Sequence, residues 1–164
     1  MSVDLKAAFR LSFVTGEADL PIPPVSEMLA RLRSGPAWDG ASIARSDDQF
    51  PRLHVDWHEG HGFVIQCYEG EQAWSNFVIA GAHCGPPTID INLGGQTLER
   101  WPPELFVPET LAHLALDCFL TTGKQDPRLH WVRIDAFPRE TVWEGREGRE
   151  AWERANSATR PNAN

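Results

Sequence analysis

The densest group of side chains that could do chemistry lies in the segment HVDWHEGH, which runs from His54 to His61. In a β-strand, side chains two residues apart point the same way, so His54, Asp56 and His58 would share one face. Imidazole and carboxylate groups that converge in this way are typical zinc ligands. The group therefore predicts one alternative function, a small metal-dependent hydrolase that uses His54, Asp56, His58 and Glu59.

The residues that alternate with this group favour a simpler interpretation. Leu53, Val55 and Trp57 occupy the intervening positions, a pattern typical of a strand with one buried face. The turn EGHG follows, and residues 63–68 alternate again as the second arm of a β-hairpin. The histidines and acids then form the solvated face of that hairpin. We therefore predict no metal and no cofactor.

Other catalytic motifs are weak or missing from the sequence. The segment GASIA, residues 40–44, matches G-x-S-x-G only in part because it lacks the final glycine. The chain has no phosphate-binding loop and no G-x-G-x-x-G segment. It also lacks the H-x-E and P-C-x-x-C elements of zinc nucleobase deaminases. We predict that the protein is not an enzyme.

The charge distribution favours a protein partner. The formal net charge of -8 disfavours direct binding to nucleic acid. Between Arg45 and Glu71, six acidic residues stand against two basic ones, which gives a net charge of -4. Acids around aromatic anchors suit a basic protein partner, because charge steers encounter and buried aromatic side chains supply binding energy. The predicted partner-binding residues are Asp47, Asp48, Asp56, Trp57, His58, Glu59, His61, Glu69, Glu71 and Trp74.

Periodicity and turn residues predict the elements that position this surface. A short N-terminal helix is expected over residues 25–33, and the main helix lies between Pro108 and Gly123, which mark its start and end. Short glycine-containing links favour an antiparallel β-meander packed against the main helix, an α+β fold. Strands are expected at residues 9–14, 52–58, 63–68, 74–79, 88–93, 96–101 and 128–135.

Length and cysteine usage predict the organisation of the chain. The 164 residues fit a single domain, expected over 1–137, followed by a charged and flexible extension, 138–164, that forms a short helix or stays disordered. Three cysteines without a C-x-x-C spacing favour free thiols in a reducing compartment. No secretory signal and no apolar run long enough for a membrane span are recognised. The expected location is the cytoplasm, with no membrane partner.

The order of features from Phe77 to Val132 resembles the Imm1 family of bacterial immunity proteins. These features are a glycine-containing turn, an acid-aromatic-proline patch, a proline that opens a helix, F-x-x-T-G that closes it, and a proline before a strand with tryptophan. The residues that carry the resemblance are Gly94, Gly95, Glu99, Pro102, Pro108, Ala112, Phe119, Thr122, Gly123, Pro127 and Trp131.

The resemblance implies an α+β protein, encoded beside a polymorphic toxin, that binds the toxin domain and protects the producing cell. Such toxins are often of the deaminase type. The matched glycines, prolines and aromatic residues are structural and do not locate the inhibitory surface. An adaptor or chaperone that loads an effector onto a secretion machine remains a further alternative, and the oligomeric state is left open.

Overall fold

The computed structural model describes residues 8–36, 39–46, 48–72, 76–80, 89–93 and 97–136. Within these ranges the chain forms eight strands and two α-helices, an α+β fold. In chain order the elements are β1 (Phe9–Phe13), α1 (Val25–Ser34), β2 (Gly40–Arg45), β3 (Arg52–His58), β4 (Gly62–Tyr68), β5 (Asn76–Ile79), β6 (Ile89–Leu93), β7 (Thr97–Trp101), α2 (Glu109–Thr122) and β8 (Trp131–Arg133).

Six strands form one antiparallel sheet in the order β1-β2-β3-β4-β5-β8. The predicted meander is therefore correct from β3 to β5 and wrong for the next two strands. Within the described ranges, β6 and β7 pair only with each other, and β8 takes the place beside β5. Ile91 and Trp101 of this second hairpin are buried in one cluster with Val64 and Val78 of the sheet. The hairpin thus buries Ile91 and Trp101 on a face of the sheet rather than extending its edge.

Strand β2 was not predicted from the sequence. Ala41 and Ile43 are fully buried and face the helices, whereas Ser42 and Ala44 face the other way. In the sequence, the first five residues of its segment, GASIAR, match only part of the catalytic motif G-x-S-x-G. The last strand is also shorter than predicted, because a turn at 126–129 precedes it and a 3-10 helix (Ile134–Ala136) follows it at once.

The two faces of the sheet have different neighbours. On one face, alternate side chains of β1 to β4 join both helices in the larger apolar cluster, where Leu11, Ile43, Val55, Leu29 and Phe119 are at most 1% exposed. The opposite face, called the outer face below, carries the smaller cluster around Val64 and Val78. The helices and the β6–β7 hairpin therefore lie on opposite sides of the sheet.

Both predicted helices are present. Gly123 ends α2 in the left-handed conformation, with φ 69°, and its amide donates to the Phe119 carbonyl at 2.7 Å. Neither helix in the part of the chain that the structure describes is long and apolar enough to cross a membrane. The predicted extension at 138–164 lies outside the described residues, as do Asp47 and Trp74 of the predicted partner surface.

Candidate functional site

Strands β1, β2 and β3 carry polar side chains on the outer face. Because side chains alternate along a strand, every second residue of each strand points to this face. The strand register then aligns these residues into rows across the sheet. One such row consists of Ser12, Ser42, His54 and Gln66.

A chain of hydrogen bonds links three polar residues of β2 and β3, and we call Ser42, His54 and Asp56 the polar relay. The Ser42 hydroxyl lies 2.8 Å from His54 Nδ1, and His54 Nε2 lies 3.1 Å from Asp56 Oδ1. The side chains of His54 and Asp56 are only 19% and 20% exposed. The prediction that His54 and Asp56 share a face is confirmed, and Ser42 joins them from the unpredicted strand.

Gly40, on β2, leaves space for the His54–Asp56 part of the relay on the neighbouring strand β3. It lies opposite Asp56 in the register of β2 and β3. A Cβ atom at this position would stand 2.8 Å from His54 Nε2 and would also collide with Asp56 Oδ1. The absence of a side chain is therefore a condition for the His54–Asp56 hydrogen bond.

The electrostatics of the relay favour a charged imidazole. Burial of the ring opposes the charged form, but the negative charge of Asp56 and its hydrogen bond outweigh burial, so the pKa of His54 is raised. Nearby Arg52 acts against this shift and Asp39 acts with it. When His54 is protonated, both ring nitrogens donate hydrogen bonds. The Ser42 oxygen then accepts from His54, and its own proton is free to donate outward.

The surroundings of Ser42 differ from those of a catalytic serine. Acyl transfer relies on backbone N–H groups that stabilise the oxyanion of the intermediate. Ser42 lies in a strand that is paired on both sides, with Ser12 and with His54 as its cross-strand neighbours. The backbone N–H groups of this strand are therefore used in hydrogen bonds to the neighbouring strands. The relay is therefore better suited to hold a hydrogen-bond donor in place than to attack a carbonyl group.

His58 is on the outer face, as its spacing predicts, but it is not solvated. It is 7% exposed, and its ring lies edge-on to Trp101 and Phe106, with centroid distances of 5.7 and 5.5 Å. Burial lowers the pKa of His58. The prediction of a fully solvated face is wrong here, because Trp101 and Phe106 cover this end of the hairpin.

The residues of the alternative metal site do not converge. His54 is hydrogen-bonded to Asp56, whereas His58 lies among aromatic rings at the end of β3. Glu59 follows in an exposed turn. Across the described ranges, no three His, Cys, Asp or Glu side chains are grouped so that they could hold a metal ion.

The tip of the β3–β4 hairpin is exposed, and an aromatic residue supports it. Glu59 and His61 are exposed, and the His61 ring packs against Phe106 at 5.3 Å. Trp57 points to the helix side, where its ring lies 4.7 Å from that of Phe63. The structure therefore does not place Trp57 on the face that carries the polar relay.

The other predicted acids lie at the opposite, open end of the hairpin. Asp48, Glu69 and Glu71 are exposed. One oxygen of Asp48 accepts from the Phe50 amide at 3.3 Å, and Glu69 accepts from Gln125 at 3.0 Å. Strands of this length span about 20 Å. The predicted partner surface is thus divided between two ends of one hairpin, with the polar relay between them.

Sequence reasoning missed Ser42 and the arginines beside it on the outer face, Arg10 and Arg52. The alternation of Ala41, Ser42 and Ile43 is the one signal that could have indicated the strand. Comparison with known proteins gives no matching family model and no matching curated protein.

Proposed function

We propose that this protein is an immunity protein that binds a cognate bacterial toxin in the cytoplasm and blocks the toxin's active cleft. The partner is a basic toxin domain, of the kind that acts on nucleic acid, such as a deaminase-type toxin. Inhibition is stoichiometric and requires no cofactor. The resemblance to the Imm1 family supports this proposal, as does the arrangement of acids on the β3–β4 hairpin.

The observation that carries the proposal concerns two exposed carboxylates. Glu59 lies at the tip of the hairpin and Glu71 just beyond its open end. In the part of the chain that the structure describes, neither has a basic partner within ion-pair distance. Carboxylates left without an internal partner remain available to guanidinium and ammonium groups of another protein.

The spacing of these acids fits a single interface. A standard protein interface covers about 800 Å² on each partner, and its width exceeds the roughly 20 Å that separate the two ends of the hairpin. One partner can therefore contact both ends and the polar strip between them. Protection requires almost no free toxin, so we expect nanomolar affinity or better, which corresponds to about -12 kcal/mol.

The proposal is tested by co-expressing the chain with the toxin domain encoded beside it, together with Glu59→Gln and Glu71→Gln variants. Both substitutions remove a charge while keeping the size and the fold. Glu27→Gln serves as the matched control, because Glu27 is an exposed acid on α1, on the helix side of the sheet.

We expect the unmodified chain and Glu27→Gln to protect the cells and to co-purify with the toxin domain. Combining Glu59→Gln with Glu71→Gln should weaken the complex by roughly tenfold or more, as is typical when charged contacts are lost at an interface. Full toxicity despite the folded, unmodified chain would contradict the proposed function. Equal affinity of all variants would instead contradict only the assignment of the hairpin as the interface.

A further inference from the structure

The β3–β4 hairpin extends beyond the strands on either side of it. Within the described ranges, β2 is paired with β3 only as far as Asp56, and β5 with β4 only as far as Gln66. Strands β3 and β4 stay paired with each other as far as His58 and Gly62. At about 3.3 Å per residue, the hairpin continues about 7 Å past its pairing with β2 and about 13 Å past its pairing with β5. Its turn, residues 59–61, is called the apex below and lies at one end of the sheet.

Aromatic side chains hold both faces of the hairpin just below the apex. On the helix side, the ring of Trp57 lies 4.7 Å from that of Phe63. On the outer face, His58 lies edge-on to Phe106, with a centroid distance of 5.5 Å. Phe63 is fully buried and His58 is 7% exposed. The strand ends that carry the apex are therefore fixed from both sides.

Backbone contacts fix the same region. Phe63 and Val107 exchange two backbone hydrogen bonds, of 2.9 and 2.8 Å. Gly62 has a φ of 132° and lies so close to Val107 that a Cβ atom would stand 2.8 Å from the Val107 carbonyl oxygen. The amide of His61 donates to the carbonyl of His58 at 3.0 Å and closes the turn. A segment that is ordered before binding loses less conformational entropy when it binds.

The apex presents a carboxylate and an aromatic ring on either side of Gly60. Glu59 is exposed and has no basic partner within ion-pair distance in the described part of the chain. His61 is also exposed, and the contact with Phe106, at a centroid distance of 5.3 Å, limits the rotation of its ring. One turn thus combines a free negative charge with a flat ring.

A nucleotide has the same two features, a charged phosphate and a flat base. An arginine that binds phosphate through two parallel hydrogen bonds binds a carboxylate in the same geometry. Aromatic side chains that stack on nucleobases do so without sequence preference, because every base has a π-face, and they also stack on other flat rings. A cleft that takes nucleic acid therefore has the chemistry to bind this apex.

We infer, on the basis of the proposed function, that the apex enters the toxin's substrate cleft and takes the place of one nucleotide. Glu59 binds the basic group that holds a substrate phosphate, and the His61 ring stacks where a base would. The formal net charge of -8 favours the approach of the chain to a positively lined cleft. Because the apex extends beyond the neighbouring strands, it can enter a groove that would exclude the flat sheet.

The test uses the purified toxin domain encoded beside the chain, bound to a fluorescent single-stranded oligonucleotide, one of DNA and one of RNA. Fluorescence anisotropy measures release of the oligonucleotide as the chain is added. The variants are Glu59→Gln and His61→Ala, each checked for folding by circular dichroism and for complex formation by co-purification. Glu71→Gln is the matched control, because it removes the same charge from an exposed acid at the other end of the hairpin.

We expect the unmodified chain to release the oligonucleotide completely. Glu59→Gln should raise the concentration for half-release by about tenfold or more, and His61→Ala by about fivefold or more, as is typical of a lost stacking contact. Glu71→Gln should have a smaller effect than Glu59→Gln.

Three results would overturn the proposed entry of the apex. These are a chain that co-purifies with the toxin domain but leaves the oligonucleotide bound, equal effects of Glu59→Gln and Glu71→Gln, and a toxin domain that binds neither oligonucleotide. Absence of any complex between the toxin domain and the folded chain would instead contradict the proposed function itself, and the entry of the apex with it.

Discussion

Substituting Gly40→Ala tests whether the polar relay depends on space at β2. No left-handed φ is required at Gly40, in contrast to Gly60 and Gly62, so alanine is compatible with the backbone there. The new methyl group, however, would stand 2.8 Å from His54 Nε2 and would collide with Asp56 Oδ1. The His54–Asp56 pair must therefore separate or the strands must shift.

The expected loss of stability follows from these two alternatives. Overpacking in a well-packed region costs about 1–3 kcal/mol, and a lost hydrogen bond to a charged group costs about 1.5–3 kcal/mol. Replacing glycine in a strand returns up to about 1 kcal/mol by reducing the entropy of the unfolded chain. We therefore expect Gly40→Ala to lower the free energy of unfolding by about 2 kcal/mol.

A double-mutant cycle measures this loss of stability and tests its cause. Urea unfolding is followed for the unmodified chain, Gly40→Ala, Asp56→Ala and the double variant. Asp56→Ala removes the carboxylate that the new methyl group would meet. If the collision is the cause, Gly40→Ala should cost less in the Asp56→Ala background, with a coupling energy of about 1 kcal/mol or more. Wild-type stability of Gly40→Ala, or strictly additive effects, would refute the reasoning.

Two further predictions concern pH. Burial lowers the folded-state pKa of His58, so below about pH 6.5 the unfolded chain binds more protons than the folded chain and stability falls. In thermal unfolding, His58→Phe should therefore lose less stability than the unmodified chain between about pH 7.5 and 5.5. An equal loss of stability in the two proteins would contradict this prediction. Hydrogen bonds from Arg128 lower the pKa of buried Asp126, a contribution present above pH 3.8 and lost as pH falls through the lower folded value. Asp126→Asn should therefore be less stable at pH 7 by urea unfolding, with a gap that narrows below pH 3.8; a pH-independent gap would argue against this.

The sequence predicted the elements with strong periodicity. Helix α2 has a proline before it and a glycine after it, and β3 alternates apolar with polar residues, so local patterns were sufficient. Strand β2 escaped detection because its outward residues, Ser42 and Ala44, are small and give little contrast with Ala41 and Ile43. The polar relay could not be predicted without that strand.

Tertiary packing decided the features that local patterns could not. The pattern of β6 and β7 indicates a hairpin but not the surface that receives it, and the structure packs it on Val64 and Val78 rather than at the sheet edge. The same choice buries His58 beneath Trp101 and Phe106. The solvent exposure of His58, one of the predicted partner residues, thus depends on residues more than forty positions later in the chain.

We propose that the chain neutralises its toxin by direct, stoichiometric binding. The most direct measurement titrates the purified toxin domain's activity on its substrate with the purified chain. We predict that toxin activity falls linearly to zero at one chain per toxin domain, with a one-to-one complex on size-exclusion chromatography. Undiminished toxin activity in the presence of excess folded chain would contradict it.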